Sequence, residues 1–580
     1  MSRKVIIPMD PARLFESTIR FIWNKFIMQG LVSRIFYSFP VQLLILNLRK
    51  NLVILSMWGI LWLIITERAG TTIGLPYLFL EPEYMDQVNF WSTIIVGLTL
   101  GGFTMSFHIT CYILDGQRFS FLGGLGKPFR KFCINNSLVP LAFLATYLIS
   151  FFQFQYSNAL ELQAAIFIKI GGLLSGVILI IFFFGIYFLL TNEDVFRLMS
   201  GKLNERLRRT VVSRVNIMAR YKTAKQRLRV DYYLADNLLP KRVNNRNTID
   251  RATILKVFDQ NHLNSVIIQS TIFALILFLG SYSDNPYFQI PAGASVILLL
   301  TIVTMFIGAL NFWLRGWAFT ALLVLILLVN SLIKWEFFEL NYQAYGLKYD
   351  TRKAAYTLRK IKELSDDENF IDDVRTTTLA LDNWRAKFPK DKKPKIVFVC
   401  SSGGGHRACI WTMRTLQHVD STLGGQLMEH TMLMTGASGG MIGAAYFREL
   451  YLQKLLGENI DIYAPAYLNN IARDHLNSIA FSWFISDIFF QTKRFTYRGD
   501  NYNKDRGYAF EEQLNKNTGG ILDKPLCDYK EPEMQALVPM MIFTPTIVND
   551  GRKLYVSPQH ISYMTTPNLF QTRFLNQKVK

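Results

Sequence analysis

Ile396-Val397-Phe398-Val399-Cys400-Ser401-Ser402-Gly403-Gly404-Gly405 begins as a β-branched apolar run and ends in three consecutive glycines. A short apolar run bounded by turn residues reads as a strand of a parallel sheet, covered on both faces. A helical stretch follows from His406 to about His418. The pattern then repeats. An apolar run from His430 to Thr435 meets Gly436-Ala437-Ser438-Gly439-Gly440, and a helix of small and apolar residues extends from Met441 to Leu456. Two successive strand–glycine turn–helix units indicate an α/β domain built on a parallel sheet.

The second turn fits G-x-S-x-G. Gly436 and Gly440 permit a sharp strand-to-helix bend that holds the Ser438 hydroxyl clear of both elements, while the helix N-terminus directs amides toward it. A serine is a weak nucleophile until a base takes its proton and donors stabilise the oxyanion that forms. Gly403, Gly404 and Gly405 supply such donors if the strands are parallel, because both turns then leave the sheet at the same end and glycine amides are unobstructed. The rival reading is a phosphate-binding loop, which continues Gly-Lys-Ser/Thr; here His406-Arg407-Ala408 follows instead. The plainer alternative is a tight glycine turn with no ligand. The enzymatic reading requires Ser438 to lie within about 10 Å of the triple-glycine backbone, the reach of one bound carbonyl.

Taken together, Ser402 to Arg407 and Gly436 to Gly440 resemble the patatin-like phospholipase family, in which a G-G-G-x-R loop forms the oxyanion hole and G-x-S-x-G carries the nucleophile. The stretches from Asp505 to Glu511 and from Thr544 to Arg552 resemble bacterial members with a membrane N-terminal region, so the similarity covers residues 395–580. The resemblance implies a membrane-anchored serine lipid acyl hydrolase with an α/β patatin-like fold. Ser438 would be the nucleophile, Gly403, Gly404 and Gly405 the oxyanion donors, and Arg407 the residue that fixes the loop's shape. His406 fills a variable position and receives no role. The implied substrate is a membrane phospholipid or related lipid ester, the implied location the bacterial cytoplasmic membrane, and no metal or other cofactor is called for.

One departure concerns the base. The family pairs its serine with an aspartate in a later Asp-Gly-Gly or Asp-Gly-Ala motif, whereas after Ser438 the only Asp-Gly is Asp550-Gly551. Asn549-Asp550-Gly551 lies between the apolar runs 540–548 and 554–556, which is hairpin-turn composition. The expectation is a sheet incomplete at its C-terminal side, with the dyad aspartate beyond Lys580. A triad in the order serine, acid, histidine is the other option. Only His475 and His560 follow Ser438, and a lone histidine such as His560 near a chain end reads first as a surface residue.

Upstream the texture is different. At 580 residues the chain exceeds one ordinary domain, and its mean hydropathy is +0.18. Long uncharged runs occupy 52–66, 90–114, 137–155, 164–190, 263–281, 291–313 and 315–333, seven candidates for membrane spans. An α-helical transmembrane bundle is therefore expected over 52–333, preceded by an amphipathic segment 1–51 and followed by a charged linker 334–394 and the hydrolase domain 395–580. The formal charge of +20 is unevenly placed: segment 191–262, read as a basic helical loop, holds sixteen Lys or Arg against seven acids. Arg118, Lys127, Arg130 and Lys131 cluster in 115–136, while 156–163 and 282–290 contain no Lys or Arg. This alternation is the positive-inside pattern and puts the basic loops in the cytoplasm. No recognition motif accompanies the charge, so nucleic acid is not an expected partner. Cys111, Cys133, Cys400, Cys409 and Cys527 are scattered without zinc-ligand or C-x-x-C spacing.

Further readings stay open at this level. The aromatic stretch 478–491 reads as a buried helix or as an apolar wall for acyl chains. A transporter or membrane scaffold with a degenerate hydrolase domain would need ionisable groups within the membrane; His108 and Lys169 are the candidates, with Lys169 near a helix end where it could snorkel. A lipid acyltransferase would use the same Ser438 site. Span parity and the unpaired cysteines point to opposite sides of the membrane for the C-terminal domain.

Overall fold

A computed structural model describes residues 32–192, 229–243, 251–280, 282, 285–314, 317–334, 345, 357–364, 367–487, 494–547 and 550–564. Most of the expected amphipathic segment 1–51 and of the basic loop 191–262 lies outside these residues. The chain divides into two compact units: Met1–Leu340 with Leu476–Lys493, and Asn341–His475 with Arg494–Lys580.

The first unit is helical. Its main helices are α1 (Phe39–Lys50), α2 (Leu52–Ile65), α3 (Phe90–Asp115), α4 (Leu138–Ser157), α5 (Gln163–Thr191), α6 (Arg251–Gly280), α7 (Ala292–Leu314) and α8 (Ala318–Lys334). Among the described residues, four helices are long and apolar enough to cross a membrane: Phe90–Arg118, Leu138–Ser157, Gln163–Thr191 and Ala292–Leu314. They coincide with the expected spans 90–114, 137–155, 164–190 and 291–313.

The other three expected spans also fall on helices, and the bent pair that holds 52–66 makes a fifth candidate if it is taken as one span. Segment 52–66 is one arm of a helix pair bent by 99° at Asn51. Polar side chains hold the bend: Asn51 Nδ2 donates to Asn47 Oδ1 at 2.8 Å and to Asp115 Oδ2 at 2.9 Å, and Asn47 Nδ2 donates to Asn136 Oδ1 at 2.9 Å. Residues 263–280 of the next segment belong to the 30-residue helix α6, which carries buried Asn261, His262, Asn264 and Gln269. Two of these polar groups are spent on neighbouring helices, Asn264 Nδ2 on the Thr191 carbonyl (2.6 Å) and Gln269 Nε2 on Thr110 Oγ1 (3.3 Å). Segment 315–333 yields the shorter apolar helix Thr320–Leu332.

Small residues allow a close helix crossing. A Cβ on Gly97 would collide with the Leu173 carbonyl, and one on Gly176 with the Ile94 carbonyl. The two pairs Gly97/Gly101 and Gly172/Gly176, each spaced by four, thus bring the α3 and α5 backbones together, as membrane helices do where lipid supplies no hydrophobic drive. Lys169 does not snorkel. It is 5% exposed and bonded to Gln155 Oε1 (2.9 Å) and Glu161 Oε1 (3.0 Å). The aromatic stretch also proves to belong here. A short helix, Leu476–Phe481, and a π-helical turn, Ser482–Asp487, pack Phe481 and Ile485 against Ile276 and Ile302. Asn477 fixes this excursion by accepting from the Ala292 amide at 2.8 Å and donating to the Glu83 carbonyl at 2.7 Å.

The second unit is α/β. Its main elements are α9 (Asp367–Ala386), β1 (Val397–Ser401), α10 (Gly405–Thr422), β2 (Thr431–Gly436), α11 (Ser438–Leu455), α12 (Arg506–Asn517) and β3 (Met540–Phe543). The sheet is parallel, in the order β1-β2-β3. Consequently β2, the strand that leads to Ser438, is central, and among the described residues β1 stands at the edge. The expectation that β1 is covered on both faces therefore fails: its burial alternates and Phe398 is 57% exposed. Part of the expected linker is α9, whose Ala380 and Trp384 join Met432, Ala536 and Met540 in a small core. Behind the sheet, Met413, Met434, Phe447, Leu450 and Met541 form the main core.

Candidate active site

Residues that carry the chemistry stand where strands hand over to helices. β1 ends at Ser401, paired with Gly436 at the end of β2, and Gly436 in turn pairs with Phe543 of β3. Parallel pairing in this register puts the two glycine turns side by side at one sheet end.

The serine turn is tight, and its glycines have identifiable reasons. Gly436 has φ +152°, and a Cβ there would strike the Ser401 carbonyl. At Gly440 a Cβ would strike the Ser402 carbonyl, and at Gly439 the Gly405 carbonyl. Ser438 itself has φ +57°. A non-glycine residue held in the left-handed region costs about 1–3 kcal/mol and persists only where its surroundings fix it. Thr544, just past β3, provides part of that fixing: its amide (3.0 Å) and its Oγ1 (2.7 Å) both donate to the Gly436 carbonyl.

The triple-glycine loop lies against the serine. A Cβ built on Gly403 would sit 3.2 Å from Ser438 Cβ and 3.8 Å from its Oγ, well inside the about 10 Å the enzymatic reading requires. Ser438 and Gly403, Gly404 and Gly405 are all exposed. Helix α10 starts at Gly405 and α11 at Ser438, so two helix N-termini with orphan amides and positive dipole ends lie beside the hydroxyl. Their close approach continues one turn on, where a Cβ at Gly443 would strike the Cys409 carbonyl. Gly439 and Gly443 thus form a small-residue pair spaced by four, a packing signal visible in the sequence but absent from the expectations. The sequence reading also passed over the Gly439 amide, although its position right after the serine of the turn was the cue.

Neighbouring groups sort into supporting roles. Arg407 stands exposed on the first turn of α10. His406 Nε2 lies 2.7 Å from the Ile471 carbonyl; a carbonyl only accepts, so this nitrogen donates and the ring is tied to the short helix Pro465–Ala472 that follows α11. Its ring packs on His475 with centroids 4.7 Å apart. Burial pushes the Cys409 thiol up to about 12, which suits a packing residue rather than a nucleophile.

No dyad comes together among the described residues. Ser438 has no carboxylate or imidazole hydrogen-bonded to it there. Asp550 caps a turn: it accepts the Arg552 amide at 3.0 Å and pairs with the Arg552 guanidinium at 2.7 Å. Those hydrogen bonds hold its carboxyl below the usual 3.8. With Thr546 bridged to Lys553 in antiparallel sense, this is the hairpin geometry read from Asn-Asp-Gly. His560 is exposed and His475 is buried.

Compared with protein-family models, with curated proteins and with solved structures, the chain matches none.

Proposed function

We propose that the second unit is a serine acyl hydrolase acting on membrane lipid esters. The observation that carries this reading is Ser438 at left-handed φ on a strand-to-helix turn, with Gly403 in van der Waals reach of its side chain. In the proposed reaction Ser438 Oγ attacks the acyl carbonyl, and the carbonyl oxygen becomes an anion held by the amides of the Gly403–Gly405 loop and of Gly439. The alcohol leaves with a proton, and water then releases the fatty acid from the acyl-enzyme. The resemblance of the two glycine motifs to patatin-like phospholipases supports a lipid ester as substrate. Attachment to helices long and apolar enough for a membrane supports it too, since tethering replaces diffusion with high local concentration.

The test is fatty-acid release from phospholipid vesicles by the reconstituted full chain. Wild type should release fatty acid, and Ser438→Ala should lose at least about 10³-fold of that rate. Equal rates in both would end the proposal. Adding an acceptor alcohol separates hydrolysis from acyl transfer by the product formed. The absence of a hydrogen-bonded base at Ser438 among the described residues favours one second reading, a degenerate domain on a transporter or scaffold. Lipid movement across vesicles that persists in Ser438→Ala, with no acyl release by wild type, is the outcome that reading requires.

A further inference from the structure

The first unit contains a cavity of about 600 Å³ among α3, α4 and α5, within the ~300–1,000 Å³ typical of sites for small molecules. Its walls are apolar, with Leu100 from α3, Leu144 from α4, and Val177 and Phe182 from α5. The two outer helices bury little of themselves in protein: 33% of the apolar window of α4 and 28% of that of α5. Leu141 and Phe182, both at the cavity, are 62% and 60% exposed. The crevice therefore opens sideways, onto faces that suit hydrocarbon rather than water.

One end is different in chemistry. Lys127 and Arg130 line it from the N-cap and first turn of the short helix Pro128–Asn135, which precedes α4. Arg130 and the adjacent Lys131 converge on a single carboxylate, Asp236, at 3.2 and 3.3 Å, so among the described residues positive charge is in excess at this rim even without counting Lys127. An apolar slot that ends in excess positive charge complements an acyl chain joined to an anionic head group, and basic pockets between membrane helices are where such head groups bind.

We propose that this crevice is a binding site for an anionic glycerophospholipid, with one acyl chain between α4 and α5 and its phosphate at Arg130 and Lys127. The site is separate from Ser438 and does not rest on the hydrolase reading. It gives the membrane unit a resident lipid and makes the packing of α4 and α5 dependent on bilayer composition.

Gly185 offers a clean perturbation. It lines the cavity, and a Cβ there would meet nothing within 4 Å, so Gly185→Leu starts into open space and fills part of the crevice. The experiment is native mass spectrometry of the full chain released from mixed micelles of phosphatidylglycerol, phosphatidylcholine and palmitate. Wild type should retain one phosphatidylglycerol in preference to the other two, a comparison that requires no variant. Gly185→Leu should lower that occupancy about tenfold, equivalent to ~1.4 kcal/mol, and Arg130→Gln should abolish the preference over phosphatidylcholine. Equal retention of phosphatidylcholine by wild type, retention of palmitate instead, or undiminished phosphatidylglycerol on Gly185→Leu would each overturn the proposal.

Discussion

Replacing Gly403 by alanine separates the site's chemistry from its stability. Gly403 is not among the glycines with positive φ, so alanine meets no backbone strain. Its Cβ would lie 3.2 Å from Ser438 Cβ and 3.8 Å from Oγ, a few tenths of an ångström inside the ~3.5–4.0 Å optimum for carbon pairs. An exposed loop absorbs so small a shift for about 1 kcal/mol or less, or a few degrees in Tm. The methyl group, however, occupies the space beside the hydroxyl where a substrate carbonyl must enter. Alanine keeps the backbone N–H of residue 403, but displacing substrate by about 1 Å costs roughly 10²-fold. Gly403→Ala should therefore lose about 10²-fold in kcat/KM for lipid ester hydrolysis while unfolding within a few degrees of wild type. Gly443→Ala is the control. Its Cβ would strike the Cys409 carbonyl, one turn further along α11, so it should destabilise by about 1–3 kcal/mol and leave the rate per folded molecule nearly intact. If Gly403→Ala retains full activity, or loses it only in proportion to folded protein, the triple-glycine loop does not serve Ser438.

Three other perturbations test the second unit. Arg448 and Glu533 form a buried pair at 2.6 Å, 1% and 0% exposed; Arg448→Met should cost about 3–5 kcal/mol in chemical denaturation, and Arg448→Met with Glu533→Met should recover most of it. Cys400 and Cys527 are exposed while Cys409 is buried with its thiol pushed up to about 12, so maleimide on the native protein should modify the first two and spare the third until unfolding. Asp550→Asn should leave acyl release unchanged, because the carboxylate serves the turn. Its carboxyl is lowered from 3.8 by Arg552, so what it adds to stability is present above that value and fades as pH falls through the lowered one. A wild-type advantage over Asp550→Asn that grows on acidification would have the wrong sign.

Much of the second unit's architecture was legible from local chemistry. β-branched runs ending in glycine gave β1 and β2, the turn between β2 and α11 followed from spacing, and the Asp550 hairpin followed from Asn-Asp-Gly. Long-range order was not legible. A continuous apolar run does not distinguish an edge strand from a central one, so β1 was expected to be covered on both faces. Run 540–548 read as a hairpin arm, and its pairing beside β2 depends on a partner more than a hundred residues earlier. In the first unit, hydropathy found the four long apolar helices, but it scores Asn264 and Gln269 without showing that they bond to Thr191 and Thr110. Composition likewise marked 478–491 as apolar but not which core it joins, since Phe481 and Ile485 would suit either. The supporting hydrogen bonds of Thr544 were hidden for the same reason: the carbonyl they hold is 108 residues away.

The most direct test of the central claim is the position of a covalent adduct. After exposure of the native full chain to a fluorophosphonate, peptide mass spectrometry should find a single modified residue, Ser438, with no adduct in Ser438→Ala and strongly reduced modification in Gly403→Ala. Modification that survives Ser438→Ala, or that maps to another serine in wild type, would contradict the account.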